Sequence, residues 1–293
     1  MYAALVCRTD GIVDATGAVG RTHAVGRSDA VGRSVGRDGM GWDGMGMGVD
    51  GWIRRRARER DVGGDGDGGM GGGFASPVLD RANARESTAT IEKMVAIAAS
   101  ALEARRRASD GEDAGGGGRT TRECECEYEY RASAREMEDE DREWCFDVTK
   151  GNMMEVYERT WGWDATEKRR ELNNGAARFV LARDAKTRAP VAFVHFRFEK
   201  EDEDVDAPVG YVYELQCEPT HQRRALGETL VKIVETVSKR LGMDAVVLTV
   251  LKENVGAYKF YTEKMGYGVD ALSPDDGLEG GSSHYLILSK RFE

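Results

Sequence analysis

The stretch YVYELQCEPTHQRRALGETL, Tyr211 to Leu230, decides how this 293-residue chain is read. It predicts a strand over Gly210 to Cys217, a short basic turn, and a helix that opens at once. Apolar residues recur at helical spacing through Leu226, Leu230, Val231, Val234, Val237 and Leu241, about four turns. At such a junction the free N–H groups of the first helical turn and the positive end of the helix dipole meet at one point, which suits an anion. Gln222, Arg223 and Arg224 add donors of the kind a pyrophosphate needs. Taken alone, a basic helix start is equally an ordinary helix end.

Downstream, Ala245 to Leu251 is a continuous apolar run, the pattern of a strand buried on both faces. A second helix is predicted from Val255 to Met265, and alternation returns at Tyr285, Ile287 and Ser289. Upstream, Arg178 to Ala182 and Val191 to Glu199 precede the Gly210 strand, separated by turn or acidic segments that suit antiparallel hairpins. Earlier still, Ala89 to Arg107 reads as a helix with Ile91, Met94, Val95, Ile97, Ala98 and Leu102 on its apolar side. A glycine linker near Gly115 to Gly118 leads to CECEYEY, Cys124 to Tyr130, whose alternation predicts a half-buried strand. An acidic stretch then leads to an aromatic-sided helix holding Trp144, Phe146, Val148, Met153, Met154 and Tyr157. Strands first, then strand-helix-strand-helix, describe an α+β domain with a mixed sheet.

Composition divides the chain. Of 37 glycines, 20 precede residue 74, in Val-Gly-Arg and Gly-Met-Gly units with too few apolar residues to offset the entropy of ordering them. Residues 1–80 are therefore expected to be a disordered head, and residues 81–293 one domain with its core in 144–290. Within the head, Arg54 to Arg60 holds five arginines, either a nuclear-import or nucleic-acid patch or a solvated basic run. The formal net charge of -10 argues against direct nucleic-acid binding and for a basic partner. Five cysteines without a CxxC pair predict free thiols in a reducing compartment and no metal site. No apolar run approaches the roughly 18 residues of a membrane span, and Met1 to Cys7 is too short for a signal-peptide core. The expectation is a soluble intracellular protein with no membrane partner.

A second motif, Asn254-Val255-Gly256-Ala257-Tyr258-Lys259-Phe260-Tyr261, follows the buried strand about 30 residues beyond the first, and Met265-Gly266-Tyr267 follows it. The pair resembles the GNAT acetyltransferase superfamily. Its acetyl-CoA signature reads here as Gln222-Arg-Arg-Ala225-Leu-Gly227, with Ala225 where a glycine is usual. Phe146-Asp-Val-Thr-Lys, Met154-Glu-Val-Tyr157, Trp161-Gly-Trp163, His195-Phe-Arg-Phe, Tyr211-Val-Tyr-Glu-Leu-Gln and Leu248-Thr-Val together look like the type D N-terminal acetyltransferase, the histone-specific member of that superfamily. The likeness covers residues 144–290 and the helix at Ala89. It omits the head, where that family more often carries a short lysine-rich tail.

The resemblance implies a GNAT fold, a central mixed and mostly antiparallel twisted sheet flanked by helices. It implies acetyl-CoA as co-substrate and acetyl transfer to the N-terminal amine of chains beginning Ser-Gly-Arg-Gly, as in histones of types four and two-A. Histone N-terminal tails would be the partner, in nucleus and cytoplasm, met by a monomer. Glu214 would act as general base through a water or clamp the substrate; Glu199 would share that duty or bind the substrate arginine. Tyr258 would protonate the departing thiolate, unless it is an ordinary core aromatic beside Phe260 and Tyr261. Tyr157, Trp161, Tyr211, Tyr213 and Tyr285, with Glu199, would form the substrate pocket. For the cofactor, Gln222, Arg223, Arg224, Ala225, Leu226, Gly227 and Glu228 would hold the phosphates. Leu215, Gln216 and Cys217 would pair with pantetheine as an added strand would, and Thr249 and Asn254 would line that arm.

Charge gives independent support. Glu199, Glu201, Asp202, Glu203, Asp204, Asp206, Glu214 and Glu218 stand against Lys200 alone between Phe198 and Glu218. They form either an anionic lip that would steer a basic tail or a solvated hairpin tip. Direct attack of the amine needs no covalent enzyme intermediate, although Cys217 lies near enough for one. Two rivals remain: a GNAT enzyme acting on lysine or polyamine amines, and a non-catalytic module that binds acyl-CoA or histone tails.

Overall fold

The computed structural model describes residues 76–112, 125–201, 207–275, 277–279, 281 and 283–293. The glycine-rich head up to residue 75, with its arginine run, lies outside the described residues. So do the linker at 115–118, Cys124, Asp202, Glu203, Asp204 and Asp206.

The strands are β1 (Cys126–Arg131), β2 (Arg178–Asp184), β3 (Pro190–Lys200), β4 (Pro208–Cys217), β5 (Ala245–Leu251), β6 (Gly268–Val269) and β7 (Tyr285–Arg291). The helices are α1 (Pro77–Asn83), α2 (Thr88–Glu112), α3 (Asp139–Thr160), α4 (Ala165–Leu172), α5 (Leu226–Leu241) and α6 (Val255–Lys259), the last widening into a π turn over Phe260–Lys264. All seven strands form one sheet, ordered β1-β2-β3-β4-β5-β7-β6. Every neighbouring pair is antiparallel except β4 and β5. The α+β expectation with a mixed, mostly antiparallel sheet is met.

Each strand shows alternate side chains to two helical layers. On one face Val194, Phe196, Val212, Leu215, Val246 and Leu248 pack with Ile91 and Val95 of α2 and with Leu230, Ile233, Val234 and Val237 of α5. On the other face Phe179, Leu181 and Phe193 pack with Cys145, Phe146 and Val148 of α3 and Leu172 of α4. Strands β4 and β5 are buried along their whole lengths, as a continuous apolar run demands.

Several expectations need correction. The domain begins before residue 81: α1 opens at Pro77 and puts Ala82, 1% exposed, into the core. Ile97, expected on the apolar side of α2, is 55% exposed. At roughly 100° per residue it lies about 120° from the stripe of Ile91, Val95, Ala98 and Leu102. The acidic stretch before Trp144 is itself the first turn of α3, where Asp139, Glu140 and Asp141 face the positive end of the helix dipole. The short polar helix α4 and the two-residue strand β6 were not foreseen.

Gly210 sets how closely α5 lies on the sheet. A Cβ built there would stand 2.3 Å from Ser238 Oγ. Ser238 is fully buried, and its hydroxyl has no hydrogen-bond partner among the described residues. At the far end α5 stops at Gly242, which takes the left-handed φ of 83° while the Met243 N–H reaches back to the Ser238 carbonyl at 3.0 Å. Gly210→Ala should therefore destabilise the domain by about 1–3 kcal/mol through overpacking. Ser238→Ala should be neutral or stabilising, because it removes an unsatisfied buried hydroxyl. Urea denaturation of the two single variants and the double variant checks this, and the double variant should recover most of the Gly210→Ala loss.

Candidate active site

Between β3 and β4 the register shifts: His195 faces Glu214 while Phe196 faces Val212, leaving Tyr213 as the extra residue of a bulge. A bulge bends its strand and breaks the local ladder. The parallel ladder between β4 and β5 stops at the same level, its last pair being Val212 and Leu248, although β4 runs on to Cys217 and β5 to Leu251. The two strand ends therefore part, and the wedge has Leu215, Gln216 and Cys217 on one side and Thr249 on the other. Asn152 of α3 donates its amide to Gln216 Oε1 at 3.0 Å and to the Cys217 carbonyl at 3.1 Å, anchoring that end of β4.

Beyond Cys217 the chain crosses a short 3-10 turn, Pro219–His221, and enters α5. Gln222 Nε2 approaches the Cys217 carbonyl at 3.5 Å, so this loop folds back on the wedge. Arg223 and Ala225 both have left-handed φ, 61° and 60°. Ala225 is the N-cap residue and offers no side-chain oxygen, so the helix start has no side-chain cap. The first intrahelical bond runs from Thr229 N–H to the Ala225 carbonyl at 3.0 Å. The amides of Leu226, Gly227 and Glu228 stand ahead of it, at a left-to-right-handed junction of the type that turns successive N–H groups toward one anion. Glu228 belongs to this site through its N–H, since its carboxylate is taken up by Lys232 at 2.5 Å and Lys264 at 2.8 Å. Arg106 of α2 donates to the Arg224 carbonyl at 3.3 Å and steadies the loop from the other layer.

The sheet face toward α3 and α4 is polar and aromatic. Tyr211 and Tyr213 lie 5.1 Å apart by ring centroids. The Tyr211 hydroxyl meets Thr249 Oγ1 at 2.5 Å across the ladder, so the Thr249 hydroxyl, expected to line the wedge, is bound to a tyrosine. Tyr213 donates to the Glu199 carboxylate at 2.9 Å, its ring stacks on His195 at 5.0 Å between centroids, and the Arg197 guanidinium lies 4.0 Å from the Tyr213 ring centroid. Tyr157 packs on Trp161 at 5.9 Å, and Trp161 on Tyr285 at 6.2 Å. The five expected pocket aromatics thus fall into two clusters on one face of the sheet.

Glu214 is fully buried. Its two oxygens accept from Lys168 Nζ at 2.7 Å and Gln216 Nε2 at 2.9 Å, and Lys168 also reaches Glu171 at 2.8 Å. Burial pushes the Glu214 carboxyl up, against the pull of Lys168. Burial also opposes the charge on Lys168, yet Glu171 and Glu214 together hold its ammonium well above the usual lysine value. For Glu171 the opposing effect of burial is outweighed by Lys168, and the carboxyl falls. Lys168 was not anticipated because it sits in the polar helix ATEKRREL, which carries no apolar periodicity to reveal its buried side. His195, Arg197 and Asn152 were missed as site residues for the same reason: nothing in a β-strand or helix pattern marks the chemistry of a buried polar neighbour.

Other expectations are redistributed. Asn254 Oδ1 caps α6 by accepting from Ala257 N–H at 3.1 Å, a helix-start role beside the wedge. Tyr258 is half-buried against the main core, next to Phe260. Cys217, near the wedge, is buried. The anionic lip is reduced: Glu201 is 7% exposed and bound by Arg291 at 2.7 Å, and Glu218 accepts from Trp144 Nε1 at 2.7 Å. These two acids are consumed by internal partners and do not form a solvated rim. Among the described residues no group of three or more His, Cys, Asp or Glu is arranged to hold a metal, and no helix is long and apolar enough to cross a membrane.

A family model described as Acetyltransferase (GNAT) family matches residues 131–267. The domain has the GNAT fold, a mixed seven-stranded sheet flanked by helices. Among solved structures, the chain is similar to NAA60 of Arabidopsis thaliana in complex with a bisubstrate analogue, at 16% identity and a TM-score of 0.42, covering 56% of this chain and 98% of that one. It is also similar to the PaiA N-acetyltransferase of Thermoplasma acidophilum in complex with coenzyme A, at 18% identity and a TM-score of 0.40, covering 57% and 99%. A third is Ard1 of Thermoplasma volcanium, at 16% identity and a TM-score of 0.39, covering 56% and 97%.

Two outcomes follow from the site's backbone and burial. A left-handed backbone costs an L-residue roughly 1–2 kcal/mol, and glycine carries roughly 0.4–1 kcal/mol more unfolded-state entropy, so Ala225→Gly should stabilise by about 0.5–1 kcal/mol. Chemical denaturation checks it, and a destabilised variant would contradict the strain. His195 is fully buried, and burial first, then Arg197 and Lys168, holds its imidazole well below 6.5. Below pH 6.5 the unfolded chain binds a proton that the folded chain refuses, so stability falls as pH drops. The slope from this residue is about 1.4 kcal/mol per pH unit until the folded imidazole itself titrates. His195→Phe should flatten that part of the stability profile measured between pH 7.5 and about pH 5.

Proposed function

We propose that this domain transfers an acetyl group from acetyl-CoA to the N-terminal amine of protein chains that begin Ser-Gly-Arg-Gly, the tails of histones of types four and two-A. The observation that carries the reading is the uncapped start of α5 beside the parted ends of β4 and β5. Three amides ahead of the first helical bond, with Gln222, Arg223 and Arg224, suit a diphosphate. The wedge edge at Leu215, Gln216 and Cys217 suits an extended, amide-bearing arm such as pantetheine, which pairs as a strand would. The match of residues 131–267 to an acetyltransferase family supports the same chemistry.

Bound acetyl-CoA supplies the thioester. The chain's own residues do the rest. The backbone near Leu215 polarises the carbonyl, and Glu214 or Glu199 takes the proton through a water. Each Glu214 oxygen has one protein donor, and a carboxylate offers about four acceptor positions, so capacity for a water remains. Tyr258, the fourth of the five residues of α6, would serve as proton donor to the departing thiolate. Base assistance is modest for an α-amino group: with a pKa near 8, about a fifth is neutral at pH 7.4, against about one part in a thousand for lysine. Glu199, with Tyr213 bound to it, suits the substrate's arginine, and Tyr157, Trp161, Tyr211 and Tyr285 suit the small Ser-Gly entrance. Such an enzyme would work as a monomer in nucleus and cytoplasm.

The test is CoA release from acetyl-CoA with a peptide that begins Ser-Gly-Arg-Gly and carries a lysine further along, and with the same peptide blocked at its N-terminus. The free peptide should turn over and the blocked one should not. Equal turnover of the blocked peptide would move the acceptor to a lysine, and calorimetric binding of acetyl-CoA with no turnover of either would make the domain a binding module.

A further inference from the structure

Several elements bring buried polar and charged groups together around Glu214. From α4 come the Lys168 ammonium and the Glu171 carboxylate, 2.8 Å apart, and from β4 come Glu214, 2.7 Å from Lys168, and the Gln216 amide. From β3 come His195 and Arg197, whose guanidinium donates to the Glu171 carbonyl at 2.9 Å and to His195 Nε2 at 3.4 Å. From α3 comes Tyr157, with Lys168 Nζ 5.3 Å from its ring centroid. Among the described residues, two carboxyl groups face two cations beside the imidazole. Glu214 has no solvent exposure and Lys168 has 7%.

A carboxylate shut off from bulk solvent is ionised only as far as nearby cations and donors compensate its lost hydration. Among the described residues, Lys168 is the cation that touches Glu214. We propose that Lys168 is a positioning residue for the acetyl-transfer reaction: through its ion pair it keeps Glu214 ionised and in one orientation, and Glu171 offsets part of that pull. The inference rests on the acetyl-transfer reading for its kinetic consequence, whereas the ion-pair assignment is measurable without turnover. The opposed charges of Lys168 and Glu171 make its signature two-directional. Removing the ammonium makes Glu214 harder to ionise, and removing the neighbouring anion makes it easier.

The experiment compares wild type, Lys168→Met and Glu171→Gln in the full chain. Glutamate carboxyl 13C shifts are followed against pH, with Glu214→Gln identifying the Glu214 signal, alongside kcat and KM for acetyl-CoA and the Ser-Gly-Arg-Gly peptide. In Lys168→Met the Glu214 titration and the acidic limb of kcat should both move to higher pH by about one unit or more, which is about tenfold in kcat on that limb, with KM for acetyl-CoA unchanged. In Glu171→Gln both should move to lower pH. A Glu214 titration at the same pH in all three proteins would overturn the assignment whether or not the protein turns over. A titration that moves while the acidic limb of kcat stays fixed would overturn the kinetic role. If Lys168→Met does not fold, Glu171→Gln decides alone, since it is isosteric and removes a buried charge. Inactive wild type with a Glu214 titration that shifts in both directions would sink the acetyl-transfer reading and keep the ion pair.

Discussion

Everything at this site depends on one irregularity in the sheet, the bulge that makes Tyr213 an extra residue opposite His195 and Phe196. A regular β4 would continue its parallel ladder with β5 to the end of both strands, and the wedge would be filled by hydrogen bonds. Because the ladder stops at Val212 and Leu248, main-chain groups near the head of α5 are directed into an opening. The same bulge turns Tyr213 along β3, where its ring meets His195 and Arg197 and its hydroxyl reaches Glu199. The break in the ladder and the polar pocket are thus two consequences of one added residue.

The bulge would be costly without support on both sides. On one side α5 presses close at Gly210, where only a hydrogen atom fits against Ser238. On the other, Asn152 of α3 and Lys168 of α4 hold the strand beyond the bulge through Gln216, Cys217 and Glu214. Burying an ion pair rarely adds stability over an apolar isostere. Its presence on the strand that bounds the wedge therefore favours a functional reason for the charge, because an apolar contact would have fixed the strand as well.

The regular parts of this molecule were legible because burial imposes a period. The run from Ala245 to Leu251 matches β5 residue for residue, and the stripe from Leu226 to Leu241 matches α5 at both ends. The acids at Asp139 to Asp141 also carried a helix-start signal that went unread. The anion site was legible as a junction of strand, basic turn and helix, yet its electrostatic surroundings were not. Glu201 and Glu218 look like a solvated rim in sequence, and only the fold brings Arg291 and Trp144 to them across 90 and 74 residues. Lys168 shows the same limit from the other direction, since in a helix as polar as α4 no local pattern tells which charged side chain is buried.

Ala225 sharpens what the fold asks of this junction. A glycine there would visit the left-handed region freely, so its backbone would reveal little about external constraint. An alanine held at φ 60° reveals that the surroundings impose the conformation. The restraints are identifiable: Arg106 grips the Arg224 carbonyl, the Ala225 carbonyl receives both the N–H and the hydroxyl of Thr229, and Gln222 leans on Cys217. Each ties the turn to a different element, α2, α5 and β4. A turn restrained in that way presents its amides already oriented, so less ordering is left for an anion to impose when it binds. The methyl group therefore marks a preorganised site, and the strain it carries is offset by contacts that do not involve the ligand.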